Sequence, residues 1–282
     1  MIREAGPDDR AALESLLTAR IDQAMFPLVN LRDHGLRCGD FPTGHDHAAR
    51  FWRIGNSVIA LTRAGILLPL LDHAPDLSGL KTALRGLNVT GVIGPAASAR
   101  PILAALGLER RPTHTNRDEP GFTLDLSHLA TPDLPGSTLR PITRGDLPLL
   151  TDWREIYIGE VLGQTGPAAR GRAEAELAAY LTHDSHRLLL LHGTPVAMTG
   201  FNATLQEIVQ IGGVYTPADL RGRGYARHAV ALHLAEARGR GAARAVLFAA
   251  NDAAARAYRA IGFQPAVPFT LFLLSTPTRI TA

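Results

Sequence analysis

Apolar and polar positions along this chain fall into two series with a similar order. IREAGPDDRAALESLL at the start and TLRPITRGDLPLLTDW in the middle each read as a short strand, a Gly/Asp turn able to cap a helix, and leucines at helical spacing. NSVIALTRAGILLPLLD and HRLLLLHGTPVAMTGFNA each place two apolar runs around a tight turn and predict hairpins. NVTGVIGPAASARPILAALGL then sits where VQIGGVYTPADLRGRGYARHAVALHL sits in the second series, both reading as strand, turn and amphipathic helix. In the second, Ala226, Ala229, Val230, Leu234 and Ala237 recur at three- and four-residue steps between Tyr225 and Arg238, and Gly239 ends the pattern. ARAVLFAA predicts a buried strand, NDAAARAYRAIGF a short helix stopped by Gly262, and FTLFLL a last strand. Strands and helices are thus intermixed in an α/β (α+β) sense.

SHLATPDLPGS, residues 127–137, collects turn formers without periodicity and is the natural linker. It divides the chain into expected domains 1–130 and 137–282 that share one plan, as duplication would leave. The length of 282 residues suits this division, and 46% hydrophobic against 20% charged residues describe a globular chain. Cys38 is the only cysteine, so no intrachain disulfide or cysteine-based zinc cluster can form. The start MIREAGPDDR has no apolar signal core, and no stretch approaches the roughly 18 apolar residues of a membrane span. A cytoplasmic protein without membrane association is expected. Of 29 basic residues only Lys81 is lysine, and the net charge is +3. The arginines are interrupted by acidic and apolar residues, which argues against a nucleic-acid surface and leaves room for an anionic small molecule.

RGRGYA, residues 221–226, carries the chemistry. Two glycines in a turn feeding a helix expose backbone N–H groups, and the helix dipole adds positive potential behind them, which suits a pyrophosphate. No Lys-Ser/Thr follows, excluding a P-loop, and Arg227 stands where a dinucleotide fingerprint needs its third glycine. Elsewhere the signals are weaker. His45, Asp46 and His47 could offer two nitrogens to a metal, but other ligands cannot be named and the segment reads as a loop entering a helix, so no metal is expected. His228 and His233, five apart, do not share a face well and read as surface residues. Ser15 and Ser57 lack a triad context.

Arg221, Gly224 and Ala226, followed by the strand AVLFAA, Asn251, Ala254, Tyr258 and Gly262-Phe263, resemble the GNAT acyl-CoA N-acyltransferases over about residues 137–282. The whole chain resembles tandem GNAT proteins with a degenerate first copy. The resemblance implies two tandem GNAT-like domains, each a mixed, mostly antiparallel sheet flanked by helices, the second binding acetyl-CoA or another acyl-CoA. It implies that the amides of Arg221, Gly222, Arg223, Gly224, Tyr225 and Ala226 hold the CoA pyrophosphate. Val214, Tyr215 and Thr216 would present backbone to the pantetheine arm, and Asn251, Ala254 and Tyr258 would lie toward the thioester. Each residue also has an architectural use: Asn251 as a helix N-cap, Tyr258 as a core residue, Gly262 as a left-handed C-cap, and Gly212-Gly213 as a bulge that splays neighbouring strands.

Aminolysis of a thioester needs a neutral amine and a proton for the leaving thiolate. An ordinary phenol near pKa ~10 gives its proton to a thiolate of ~8.5 at a cost of roughly 2 kcal/mol, so the role of Tyr258 would begin with hydrogen bonding. The base departs from the family: Gln210 stands where some members carry glutamate, and glutamine cannot be a base. Glu207 would point to the other side of a regular strand unless the Gly212-Gly213 region changes the register, and the resemblance, which lays YIGEVLG over the acceptor site, implies Glu160 as a further catalytic or acceptor-binding candidate. The expected reaction moves an acetyl group to the amine of a small molecule or peptide. The alternative is a non-catalytic acyl-CoA-binding or sensing module.

Overall fold

The computed structural model describes residues 1–37 and 45–281, so Cys38 lies outside the described residues. Helices and strands follow one another as β1 (Arg3–Glu4), α1 (Arg10–Thr18), α2 (Ile21–His34), β2 (Leu36–Arg37), β3 (Ala49–Ile54), β4 (Ser57–Thr62), β5 (Ile66–Leu70), α3 (Leu80–Ala83), β6 (Asn88–Pro95), α4 (Ala96–Leu106) and β7 (Thr113–Asp125). The second series is β8 (Ser137–Pro141), α5 (Leu147–Leu162), α6 (Pro167–His183), β9 (His186–Leu191), β10 (Thr194–Thr204), β11 (Ile208–Tyr215), α7 (Tyr225–Gly239), β12 (Arg244–Phe248), α8 (Asp252–Arg259) and β13 (Gln264–Arg279). Local chemistry sets many of these ends. Thr143 and Asp146 form a capping box ahead of α5, Gly163 closes that helix in the left-handed region, and Pro167 opens α6 where a missing N–H costs nothing.

Two compact units emerge, residues 1–119 with 267–282, and residues 120–266. In the first unit the strand order is β1-β3-β4-β5-β6-β13, with β2 on β3. In the second it is the end of β7, then β12-β11-β10-β9-β8. Each unit is mostly antiparallel, with a parallel pair in the middle: β5 with β6, and β11 with β12. The units are bounded differently from the domains 1–130 and 137–282 expected above. β13 pairs with β6, and its Phe272 and Leu274, with Ile280 just after it, join Trp52, Leu61, Val92 and Ile102 in the core of the first unit. Strand propensity marks β13 as a strand but carries no information about its partner.

This topology also corrects the internal comparison. β6 and α4 occupy the place of β12 and α8, each strand lying parallel to the preceding hairpin strand, so IGPAASA is not the counterpart of RGRGYA. The counterpart is the connection from β5 to β6, whose only α-helix is the four-residue α3. Likewise HDHAARFW, residues 45–52, leads through a turn into strand β3 rather than into a helix. Among the described residues no group of three His, Cys, Asp or Glu side chains could hold a metal.

In the second unit helices cover both faces of the sheet. Leu188, Met198 and Tyr215 pack with Trp153 and Leu177 of α5 and α6, whereas Leu189, Val196 and Ala197 pack with Tyr225 and Ala229 of α7. α7 is amphipathic as expected, but His228 and His233 are buried, against their reading as surface residues. The reason is periodicity: His228 lies three residues after Tyr225, and His233 four after Ala229, so both fall on the apolar face. His228 Nε2 meets Ser137 Oγ at 2.9 Å, and the His233 ring stacks on Phe201 at 3.8 Å.

Burial, reinforced by the charges of Arg187 and Arg240, pushes the His233 imidazole down to about 3. It is neutral in the fold, while an unfolded chain takes up a proton near pH ~6.5. Its contribution is therefore complete above that pH and lost as pH falls toward 3, at about 1.4 kcal/mol per unit. Urea unfolding at pH 7 and pH 5 is expected to show His233→Gln losing about 2 kcal/mol less than the parent protein between the two.

Candidate functional site

The parallel pair of the second unit does not run its full length. β12 pairs with β11 at Ile208, Val209 and Gln210 and then stops, while β11 continues against β10 as far as Tyr215. From Ile211 onward the two parallel strands part. Gly200 stands opposite Gly212 and Met198 opposite Tyr215, so β11 holds one more residue than β10 there. Gly213 adopts φ +63°, which fits the bulge read from Gly212-Gly213. On β10, Asn202 forms an opposite irregularity, and its side chain fills the space above Gly212. Strand pairing has thus been given up on one side of β11, leaving backbone groups along a gap that an extended, amide-containing chain can enter.

Downstream of this gap, residues 216–224 wind through a short turn into α7. Gly222 and Gly224 have φ +80° and +83°, and a Cβ on Gly222 would meet nothing within 4 Å. The first turn of α7, at Tyr225 and Ala226, directs N–H groups without intrahelical acceptors toward the same space. The arginines frame the turn. Arg221 donates from Nε to the Thr216 carbonyl at 3.0 Å and from Nη2 to the Glu160 carboxylate at 2.8 and 3.1 Å, and its guanidinium lies 5.7 Å from the Tyr215 ring. Arg223 reaches the Asp219 carbonyl at 3.3 Å. An open, amide-lined turn flanked by cations can take a phosphate group.

Side chains before the turn divide between the faces. Val214 packs with the α7 and α8 core, Tyr215 turns toward Trp153 at 5.7 Å, and the buried Thr216 Oγ1 has no hydrogen-bond partner. Burial and the neighbouring Glu160 raise the Tyr215 phenol above its ordinary range. Beyond β12, Asn251 caps α8, its Oδ1 accepting the Ala254 N–H at 2.9 Å. Tyr258, 7% exposed, sits in the cluster that also holds Ile211 and Val214, edge-on to Phe263. Gly262 has φ +109°, and a Cβ there would lie 2.7 Å from the His128 carbonyl.

The carboxylate candidates separate. Glu207 lies in the bend before β11, with its carbonyl accepting the Ala243 and Arg244 N–H groups. Gln210, 2% exposed, is the last residue paired across to β12. Its Nε2 donates to the Ile211 carbonyl at 2.7 Å, and its Oε1 has no partner. Glu160, near the end of α5, is exposed and engaged with Arg221. Two residues not anticipated from sequence also face β11: Arg154 and His186, buried side chains aimed at Gly213. Nothing in their local spacing marks them, because tertiary packing brings them there.

Residues 150–263 match the model of the acetyltransferase (GNAT) family. Several solved structures share the fold at low identity. A GCN5-related N-acetyltransferase from Kribbella flavida has 19% identity and a TM-score of 0.58, over 92% of this chain and 95% of its own. One from Sphaerobacter thermophilus has 16% identity and a TM-score of 0.56, over 100% of this chain and 96% of its own. A tandem GNAT protein from the clavulanic acid biosynthesis pathway has 15% identity and a TM-score of 0.54, over 100% of this chain and 99% of its own. No curated protein matches the chain. Among the described residues no helix is long and apolar enough to cross a membrane.

The cap at Asn251 has a measurable cost of removal. Asn251→Ala is expected to destabilise the protein by about 1 kcal/mol, read as a lower midpoint in thermal or urea unfolding, with Asn251→Asp close to the parent.

Proposed function

We propose that residues 150–263, which match the acetyltransferase (GNAT) family model, form a domain that moves an acyl group from acyl-CoA to an amine, and that this chain uses acetyl-CoA to acetylate a small-molecule or peptide amine. The observation that carries the reading is the parting of β11 and β12 after Gln210, in line with the open glycine turn at the N-terminus of α7. In this reading the amides of residues 221–226, including Arg223, Tyr225 and Ala226, receive the pyrophosphate. The backbone of Val214, Tyr215 and Thr216 pairs with the pantetheine amides. Asn251, Ala254 and Tyr258 border the thioester end, where the Tyr258 hydroxyl hydrogen-bonds the departing thiolate, gives it a proton and is reprotonated from water.

The amine attacks the thioester carbonyl, the C–S bond breaks, and the amine proton must leave. Gln210 cannot take it. Glu160, held at Arg221 on the pyrophosphate side, is the proposed acceptor of that proton through intervening water. Phosphates arriving at the turn compete with its carboxylate for Arg221, and that exchange frees Glu160 as the co-substrate binds. The first unit has no glycine turn leading into a long helix between β5 and β6, which supports one co-substrate per chain.

Gln210 also supports a second reading, a domain that binds acyl-CoA without turning it over. Calorimetry and thiol release separate the two: binding with thiol release for some amine supports catalysis, and binding without release across a broad panel supports sensing. Gly224→Val places a side chain on a left-handed residue, 3.1 Å from the Arg227 guanidinium, and should abolish acetyl-CoA binding. Tyr258→Phe should keep binding and lower turnover by about 10²-fold or more. Full activity in both variants would refute this assignment of the turn and the tyrosine.

A further inference from the structure

Two buried nitrogens on the α5/α6 side of the second unit lack the partners that burial demands. Arg154, 6% exposed, donates from Nε to Glu176 Oε2 at 2.6 Å, and its guanidinium lies 4.4 Å from the Tyr157 ring and 5.5 Å from the Tyr180 ring. Its Nη1 has no hydrogen-bond partner. His186 is fully buried, stacked on Tyr180 at 3.5 Å, with Nδ1 2.9 Å from Ser185 Oγ and with Nε2 unpartnered. Both loose nitrogens face Gly213, where a Cβ would lie 2.7 Å from His186 Nε2 and 3.6 Å from Arg154 Nη1. Gly200 gives way as well, since the imidazole fills the space its side chain would take.

The charges define what fits. Glu176 is shared between Arg154 and Arg172, the latter donating from Nε to Oε1 at 2.8 Å, so the cluster keeps an excess positive charge. Burial and the Arg154 charge hold His186 neutral. In the tautomer that carries the ring proton on Nε2, Nδ1 accepts from the Ser185 hydroxyl. Two donors, one of them cationic, then converge without an acceptor, and leaving such groups unmet in a protein interior is costly. Gly213 is also the bulged residue at which β11 has already left β12. Tyr157, Tyr180 and Glu176 beside the cluster are half-buried.

We propose that Arg154 Nη1 and His186 Nε2 form a subsite for a carboxylate carried by the acceptor, which makes the acceptor an amino acid or another amine bearing a carboxylate. This rests on the acyl-transfer reading above. A guanidinium supplies a directional, permanently charged donor, and the imidazole N–H fixes the second oxygen.

The test uses the full chain, acetyl-CoA and a panel of α- and β-amino acids, each paired with the amino alcohol that replaces its carboxylate by a hydroxymethyl group. Thiol release should favour the acids by at least about tenfold in kcat/KM. Arg154→Gln should raise KM for the acids and bring the acid-to-alcohol ratio close to one, with Arg154→Lys restoring part of it. Calorimetric binding of acetyl-CoA to each variant checks that the fold is intact. Amino alcohols reacting as well as the acids in the parent protein, or other amines reacting while no acid does, would overturn the subsite and leave an ordered water as its occupant. That comparison needs no variant to fold. Absence of acetyl-CoA binding by the parent protein would instead overturn the acyl-transfer reading itself.

Discussion

The parallel pairing of β11 with β12, broken after Gln210, is the constraint from which the rest of the second unit follows. Parallel neighbours need a crossover, and here α7 supplies it, running back along the sheet from the end of β11 to the start of β12. Its N-terminus must therefore lie at the end of β11 where pairing has lapsed. One topological fact brings together unpaired strand backbone, a glycine turn and the positive end of a helix dipole. The bulge at Gly213 sharpens the arrangement by letting β11 stay with β10 while leaving β12.

The polar groups buried around this sheet differ between its faces. On the α7 side, His228 meets Ser137 and His233 stacks on the face of Phe201, each leaving its neutral Nδ1 without a hydrogen-bond partner, and both serve the packing of a helix on a sheet. On the α5/α6 side, Arg154, Glu176, Tyr180 and His186 form a connected cluster in which two nitrogens remain unmet. A core can absorb neutral imidazoles at modest cost, but an unmatched guanidinium nitrogen in the interior is a larger debt and points outward to something else.

Much of the fold is legible in the residues. Hairpins around Ala64-Gly65 and His192-Gly193, the amphipathic α7, and the cap at Asn251 are local features with local causes. Strand-turn-helix patterns recur twice within each half, so their order alone does not fix which copies correspond. IGPAASA has the pattern of RGRGYA but the position of β12 and α8. The burial of His228 and His233 follows from their spacing to Tyr225 and Ala229, which their five-residue spacing to each other does not show. For the candidate site, the glycine turn and Tyr258 were visible in the sequence, while Arg154 and His186 were not, since no spacing links a helix residue at 154 with a strand residue at 186.

By itself, then, the sequence determined the type and order of most elements, the glycine turn and its cationic flanks, because backbone propensity, capping and periodicity act over a few residues. Tertiary structure alone decided that β13 completes the first unit, where β11 and β12 part, that Glu160 reaches Arg221, and that Arg154 and His186 meet at Gly213. Those outcomes depend on which strand finds which partner and on what then fills the space between sheet and helix, and both are settled by burial summed over distant segments.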